Sequence, residues 1–111
     1  MNDMNSIKDC LVLSNGVKIP CVGFGTWQLP DSDATEDIVK TAIDCGYRHI
    51  DTAFVYNNEK AVGKAIRSCG LPRNELFITS KLSNYSHGYE NTLKEFEQTM
   101  NNLGIEYLDL Y

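Results

Sequence analysis

Apolar and polar positions change their period several times along the chain. Two short β-prone runs, LVL and VKI, flank Ser14, Asn15 and Gly16. Asn-Gly between such runs predicts a β-hairpin over residues 10–20, because both residues tolerate φ > 0. From Cys21 onward strand-like and helix-like segments alternate. CVGFG, residues 21–25, reads as a strand. Asp33 then opens a helix with Glu36 three residues on, in the manner of a capping box with Asp as the cap. Ile38, Val39, Ala42 and Ile43 share one face of it, and Gly46 supplies a left-handed stop. YRHID, residues 47–51, is the next strand. Asn57 or Asn58 caps a second helix with Ala61, Val62, Ala65 and Ile66 on its apolar face, ending near Gly70 and Pro72. LFITS, residues 76–80, is a third strand. A helix from about Ser86 carries Tyr89, Leu93, Phe96, Met100 and Leu103 at helical spacing as far as Gly104. YLDLY, residues 107–111, begins a fourth strand. Residues 1–9 are polar and patternless, which predicts a flexible arm.

Helices between successive strands imply parallel pairing through right-handed crossovers, hence an α/β fold. Two parallel architectures compete, the doubly wound open sheet and the (β/α)₈ TIM barrel. A dinucleotide-binding open sheet wants G-x-G-x-x-G after its first strand. Gly23-Phe24-Gly25-Thr26-Trp27-Gln28 lacks the third glycine and puts an indole in the turn, which favours the barrel. A full barrel takes about 250 residues and eight strands. The 111 residues supply about four of them. Residues 10–111 are therefore expected to form the N-terminal half of a barrel: the hairpin, three βα units and the start of a fourth strand. On this expectation the chain is a fragment of a longer protein.

Composition excludes some function classes. The net charge is −5, and Lys and Arg are not clustered, so no nucleic-acid partner is expected. No run approaches the ~18 apolar residues of a membrane span, and MNDMNSIKD has no apolar h-region, so a cytoplasmic protein is expected. Cys10, Cys21, Cys45 and Cys69 form no C-x-x-C pair. They are read as buried free thiols, with no metal site.

The chemistry is expected at the carboxyl ends of the strands, where loops converge on a rigid frame. Asp51 ends the second strand, and Lys81 follows the third at the matching place one repeat later. Side chains alternate along a strand. If Ile50 and Ile78 pack outward on the helices, then Tyr47, His49 and Asp51, with Phe77, Thr79 and Lys81, point inward. Asp51 and Lys81 then meet at the mouth, and Tyr56 on the loop between them reaches the lysine. A phenol beside an ammonium can act as a proton donor. The same spacing also fits a purely structural ion pair. His49 is expected to be a packed, hydrogen-bonded interior residue. His87 fits either a pocket rim or a loop or capping role, and Trp27 either a ligand wall or core packing.

GYRHIDTAFVYNNEKAVGKAI, residues 46–66, resembles the most distinctive signature of the aldo-keto reductases, NAD(P)H-dependent barrel enzymes. LSNGVKIP, GFGTW, LFITSK and LGIEYLDLY resemble further motifs of that family, in the same order. Within it, residues 88–111 are most similar to bacterial reductases of small aldehydes, glyoxals and diketo sugars. The resemblance implies reduction of aldehydes and ketones to alcohols with hydride from NADPH, in a monomeric full-length enzyme. Asp51, Tyr56 and Lys81 match three members of the catalytic tetrad: Tyr56 as proton donor, Lys81 tuning it, Asp51 supporting Lys81. Thr26, Trp27 and Asp51 match positions beside the cofactor, and Trp27 and Tyr56 match positions beside the substrate. Two departures stand out. Ser83 replaces a tryptophan frequent in relatives, which would leave a wider or more polar pocket. The tetrad histidine, with most of the cofactor site, falls beyond Tyr111. A non-catalytic half-barrel acting as a binding or structural module is therefore the second reading, and a channel accessory subunit a weaker third.

Overall fold

The computed structural model describes residues 5–111. The first apolar runs form β1 (Cys10–Val12) and β2 (Lys18–Pro20), paired antiparallel with Leu11 opposite Ile19. Of the two loop residues expected at positive φ, only Gly16 is there, at +84°. Its N–H bonds to the Leu13 carbonyl, the Leu13 N–H bonds to the Val17 carbonyl, and the Asn15 side chain accepts the Val17 N–H at 3.0 Å. The loop is thus a three-residue turn with one left-handed glycine rather than a two-residue one. Of the arm expected over residues 1–9, residues 1–4 lie outside the described residues. In residues 5–9 the Asp9 carboxylate accepts the N–H groups of Asn5 at 2.7 Å and Ser6 at 3.2 Å, closing a turn.

A second sheet holds β3 (Gly23–Gly25), β4 (His49–Asp51) and β5 (Phe77–Thr79), parallel and in that order. Its register sets Gly25, Asp51 and Thr79 level with one another. The crossovers are α1 (Asp33–Asp44) and α2 (Glu59–Ser68), packed side by side; α3 (Tyr89–Leu103) follows β5 and packs on α2. Where a fourth strand is expected, Leu110 makes an isolated parallel bridge to Thr79. Val39, Ile43, Val62, Ala65, Ile66 and Leu103 of the helices close over Ile50 and Ile78 of the sheet. Both isoleucines are fully buried on that side, so alternation turns His49, Asp51, Phe77 and Thr79 to the other face. No helix among the described residues is long and apolar enough to cross a membrane.

The helices differ from their predicted faces where polar residues are buried. In α1 the capping box is not made. Ser32 is the N-cap, Asp33 lies inside the helix, and the Ser32 carbonyl accepts the N–H groups of Thr35 and Glu36. Thr35 takes an inward place and Ile38 is exposed, because the Thr35 hydroxyl finds the Pro30 carbonyl. In α2 the four predicted apolar residues are buried. Asn58 is its N-cap without a side-chain cap bond, and Asp31, from the loop before α1, accepts the Ala61 N–H at 2.9 Å instead. The largest difference is in α3: Tyr89 is 83% and Leu93 53% exposed, while Glu95, Thr99 and Leu103 face inward. Each buried polar group there has partners, which is the condition for burying it. The cysteines are free, as read, yet Cys10 and Cys45 are exposed and Cys21 and Cys69 only partly covered. Cys10 lies on the exposed hairpin strand and Cys45 caps the end of α1, both outside the core.

Candidate active site

The register sets Asp51 level with Thr79, so Lys81 stands two residues beyond the matching place, on the same face, and its long side chain reaches back to the carboxylate. The Lys81 ammonium donates to Asp51 Oδ2 at 2.8 Å, to the Thr52 carbonyl at 2.9 Å and to the Tyr56 phenol oxygen at 3.5 Å. Three acceptors match the three N–H groups of an ammonium, which fixes its orientation. The loop that carries Tyr56 is sewn to the continuation of β5. Thr52 N–H bonds to the Thr79 carbonyl, Phe54 N–H to the Lys81 carbonyl, and a 3₁₀ turn over Phe54–Tyr56 ends at Asn57 in the left-handed region, φ +56°. The Lys81 and Asp51 side chains are 45% and 34% exposed. An ion pair so open to water contributes at most about 1 kcal/mol to stability. Stability is therefore a poor reason for it, and access to a ligand a better one.

Thr26 is fully buried, and its N–H and hydroxyl both donate to the Asp51 carbonyl at 3.0 Å. Its own carbonyl accepts Asn58 Nδ2 at 2.7 Å, and the same amide group reaches the Leu29 carbonyl at 3.0 Å. Asn58 Oδ1 accepts the Thr52 hydroxyl. This buried asparagine ties the loop after β3 to the loop after β4. Sequence reasoning assigned it only a capping role; the signal was an Asn directly after the left-handed Asn57, where one of the pair is spare. Trp27, next to Thr26, is 68% exposed on the loop that leaves β3. It is not core packing.

His49 sits two residues before Asp51, its Nε2 2.8 Å from the Thr79 hydroxyl and its ring edge-on to Phe77 at 4.9 Å. Burial pushes the imidazole below its ordinary value, against the pull of Asp51. It is half-buried and paired. His87 is exposed, and its carbonyl accepts Asn91 Nδ2 at 3.3 Å at the entrance to α3.

Of the wider or more polar pocket expected from Ser83, the serine hydroxyl does not supply the polarity. Ser83 is 3% exposed and turned onto α3, where Glu95 accepts its N–H and its hydroxyl, each at 2.6 Å, and the Ser86 hydroxyl at 2.7 Å. Burial alone would raise the Glu95 carboxyl, but these bonds, with His87 nearby, hold it below its ordinary value of 4.5. A carboxylate depressed on folding adds stability that is fully present above that ordinary value and is lost as the pH falls below it. Glu95→Gln should therefore be less stable than wild type at neutral pH in urea unfolding, with the gap closing in acid. A gap independent of pH would show that the charge of Glu95 contributes nothing.

A sequence model described as the aldo/keto reductase family matches residues 21–111. The chain is 47% identical over 108 residues to the 9,11-endoperoxide prostaglandin H2 reductase of Trypanosoma cruzi (strain CL Brener), covering 97% of this chain and 38% of that protein. It is 47% identical over 106 residues to the glyoxal reductase of Bacillus subtilis (strain 168), covering 96% and 38%. The crystal structure of the Bombyx mori aldo-keto reductase in complex with NADP superposes with a TM-score of 0.84 at 36% identity, over 96% of this chain and 38% of that one. The chain thus spans 38% of the length of these curated relatives, and its fold is part of a TIM barrel.

Proposed function

The chain belongs to the aldo/keto reductase family, and from that premise we propose that it is the N-terminal part of an NADPH-dependent reductase of small aldehydes and ketones, with Tyr56 as the proton donor. One observation carries this reading: a single ammonium joins Asp51, the Thr52 carbonyl and Tyr56 at the shared end of β4 and β5. Lys81 aims an N–H at the phenol oxygen, so that oxygen accepts and the phenol's own O–H is left to donate outward. A substrate carbonyl oxygen is the acceptor it would meet. As the carbonyl carbon is reduced, negative charge grows on that oxygen, and the Tyr56 proton passes to it. The charge left on Tyr56 lies beside Lys81, which Asp51 and Thr52 hold in place beforehand, so no reorganisation is needed at that moment.

NADPH, when bound, supplies the hydride. The residues present fit its reactive end. Gly25 stands level with Asp51, and open space lies where its side chain would be, giving a flat ring room beside the carboxylate. Trp27 on the adjoining turn and Asp51 are the residues of this chain that would touch it. Thr26, buried with its N–H, hydroxyl and carbonyl all committed to Asp51 and Asn58, would serve the cofactor only by holding that turn in place. The likeness to a glyoxal reductase supports small carbonyl substrates.

The test is turnover by the whole protein, followed as loss of reduced-nicotinamide absorbance with methylglyoxal. NADPH oxidation that depends on the aldehyde is expected. No turnover with methylglyoxal or with a panel of other aldehydes and ketones would refute the proposal.

A further inference from the structure

The loop of residues 82–88 follows Lys81 directly and so leaves the sheet at the same end as the Asp51, Tyr56 and Lys81 cluster. Its internal main-chain bond, Ser86 N–H to the Ser83 carbonyl, is long at 3.3 Å. What ties it down is Glu95. This carboxylate is 4% exposed, in the second turn of α3, and takes both hydroxyls and the Ser83 N–H on its two oxygens. Among the described residues the ion pairs are Arg73 with Asp109 and Lys81 with Asp51, so Glu95 has no cationic partner in contact. Its buried charge is compensated by neutral donors drawn from the loop. A buried charge that loses its donors is costly, so the loop cannot lift from α3 without leaving Glu95 unpaired. An apolar residue at this position would pack α3 with no such demand on the loop.

With Ser83 and Ser86 turned in, the residues between them are turned out. Asn84 is exposed and Tyr85 is 91% exposed, an aromatic ring carried on a loop that is bonded to the carboxylate on either side of it. We infer that Glu95 is a positioning residue of the carbonyl pocket, which through Ser83 and Ser86 holds the loop after Lys81 as a preformed rim for the substrate. The inference rests on the reductase reading of the Lys81 cluster.

The test uses the whole protein with Glu95→Ala, Glu95→Gln and Ser86→Ala, read by amide hydrogen exchange and by steady-state kinetics with methylglyoxal. Glu95→Ala should speed exchange across residues 82–88 while β4 and β5 stay protected. A loosened rim should raise the KM for methylglyoxal about tenfold, with kcat and the KM for NADPH little changed. Glu95→Gln, which keeps the shape and can still accept the Ser83 N–H but lacks the charge, should fall between wild type and Glu95→Ala in both readouts. Ser86→Ala removes one donor and leaves the other two, so it should move both readouts the same way by less, even if Glu95→Ala fails to fold. Faster exchange with an unchanged KM would overturn the inference, leaving Glu95 a structural clamp. Unchanged exchange in the variants would overturn it as well. A wild type inactive on all carbonyl probes overturns the reductase reading, and the rim assignment with it; an active wild type whose variants keep its KM overturns the inference alone.

Discussion

Tyr56→Phe should lower carbonyl reduction by the whole protein about 10²- to 10⁴-fold, the range that a positioned proton donor contributes. The substitution removes one oxygen and nothing else. That oxygen is the most distant of the three acceptors of Lys81, at 3.5 Å, and the bonds to Asp51 and the Thr52 carbonyl, at 2.8 and 2.9 Å, remain. The lysine should therefore stay in place and thermal stability should not move. The loss should fall on kcat, because the proton is delivered only as the carbonyl is reduced, and the KM for NADPH should hold. Lys81→Met should also cut kcat, and it strands the Asp51 carboxylate, which water can still reach. A Tyr56→Phe protein with kcat within a factor of ten of wild type would assign the proton to another donor.

The convergence of these three groups was legible because it depends on two regular periods. Alternation along β4 and β5 decides which side chains leave the helix side, and the strand-helix repeat brings Asp51 and Lys81 to the same end of the sheet, with Lys81 two residues beyond the position level with Asp51. The same regularity made the apolar face of α2 readable. What was not legible depends on partners far away in the chain. Glu95 and Thr99 look like surface residues in a helical pattern, since a pattern of apolar positions cannot distinguish a satisfied buried carboxylate from a solvated one. Glu59, with Ser80 at 2.7 Å and with Thr99 and Asn102 beyond it, is hidden for the same reason. Asn58 reads as a local cap and Asp31 falls outside every predicted element, yet their bonds run to the loop after β3 and to the first turn of α2. At Ser83 the sequence shows the size of a side chain and says nothing of its direction.

Gly63 is another residue whose role the sequence conceals, and Gly63→Ala should destabilise the protein. By helix propensity alone the change would help, since alanine is favoured over glycine inside a helix by about 1 kcal/mol. The packing opposes this. A Cβ built on Gly63 falls on the Leu103 carbonyl oxygen and lies 2.7 Å from the Leu103 carbonyl carbon and Cα. These are backbone atoms, so no rotamer change relieves the contact and α2 must part from α3. Leu103 is fully buried, and its carbonyl accepts from the Arg67 guanidinium one turn further along α2. Parting the helices therefore opens the core and strips an orphan carbonyl at the end of α3 of its donor. Overpacking of this kind costs about 3 kcal/mol at the upper end of its usual range, which outweighs the propensity gain and leaves a net loss of about 2 kcal/mol. Urea unfolding of the whole protein would measure it. Arg67→Ala, which removes the donor but adds no bulk, should cost less, and the difference between the two variants isolates the steric part. A neutral or more stable Gly63→Ala would mean that α3 slides along α2 freely, which is incompatible with a helix whose Glu95, Thr99 and Asn102 side chains are fixed by partners on neighbouring elements.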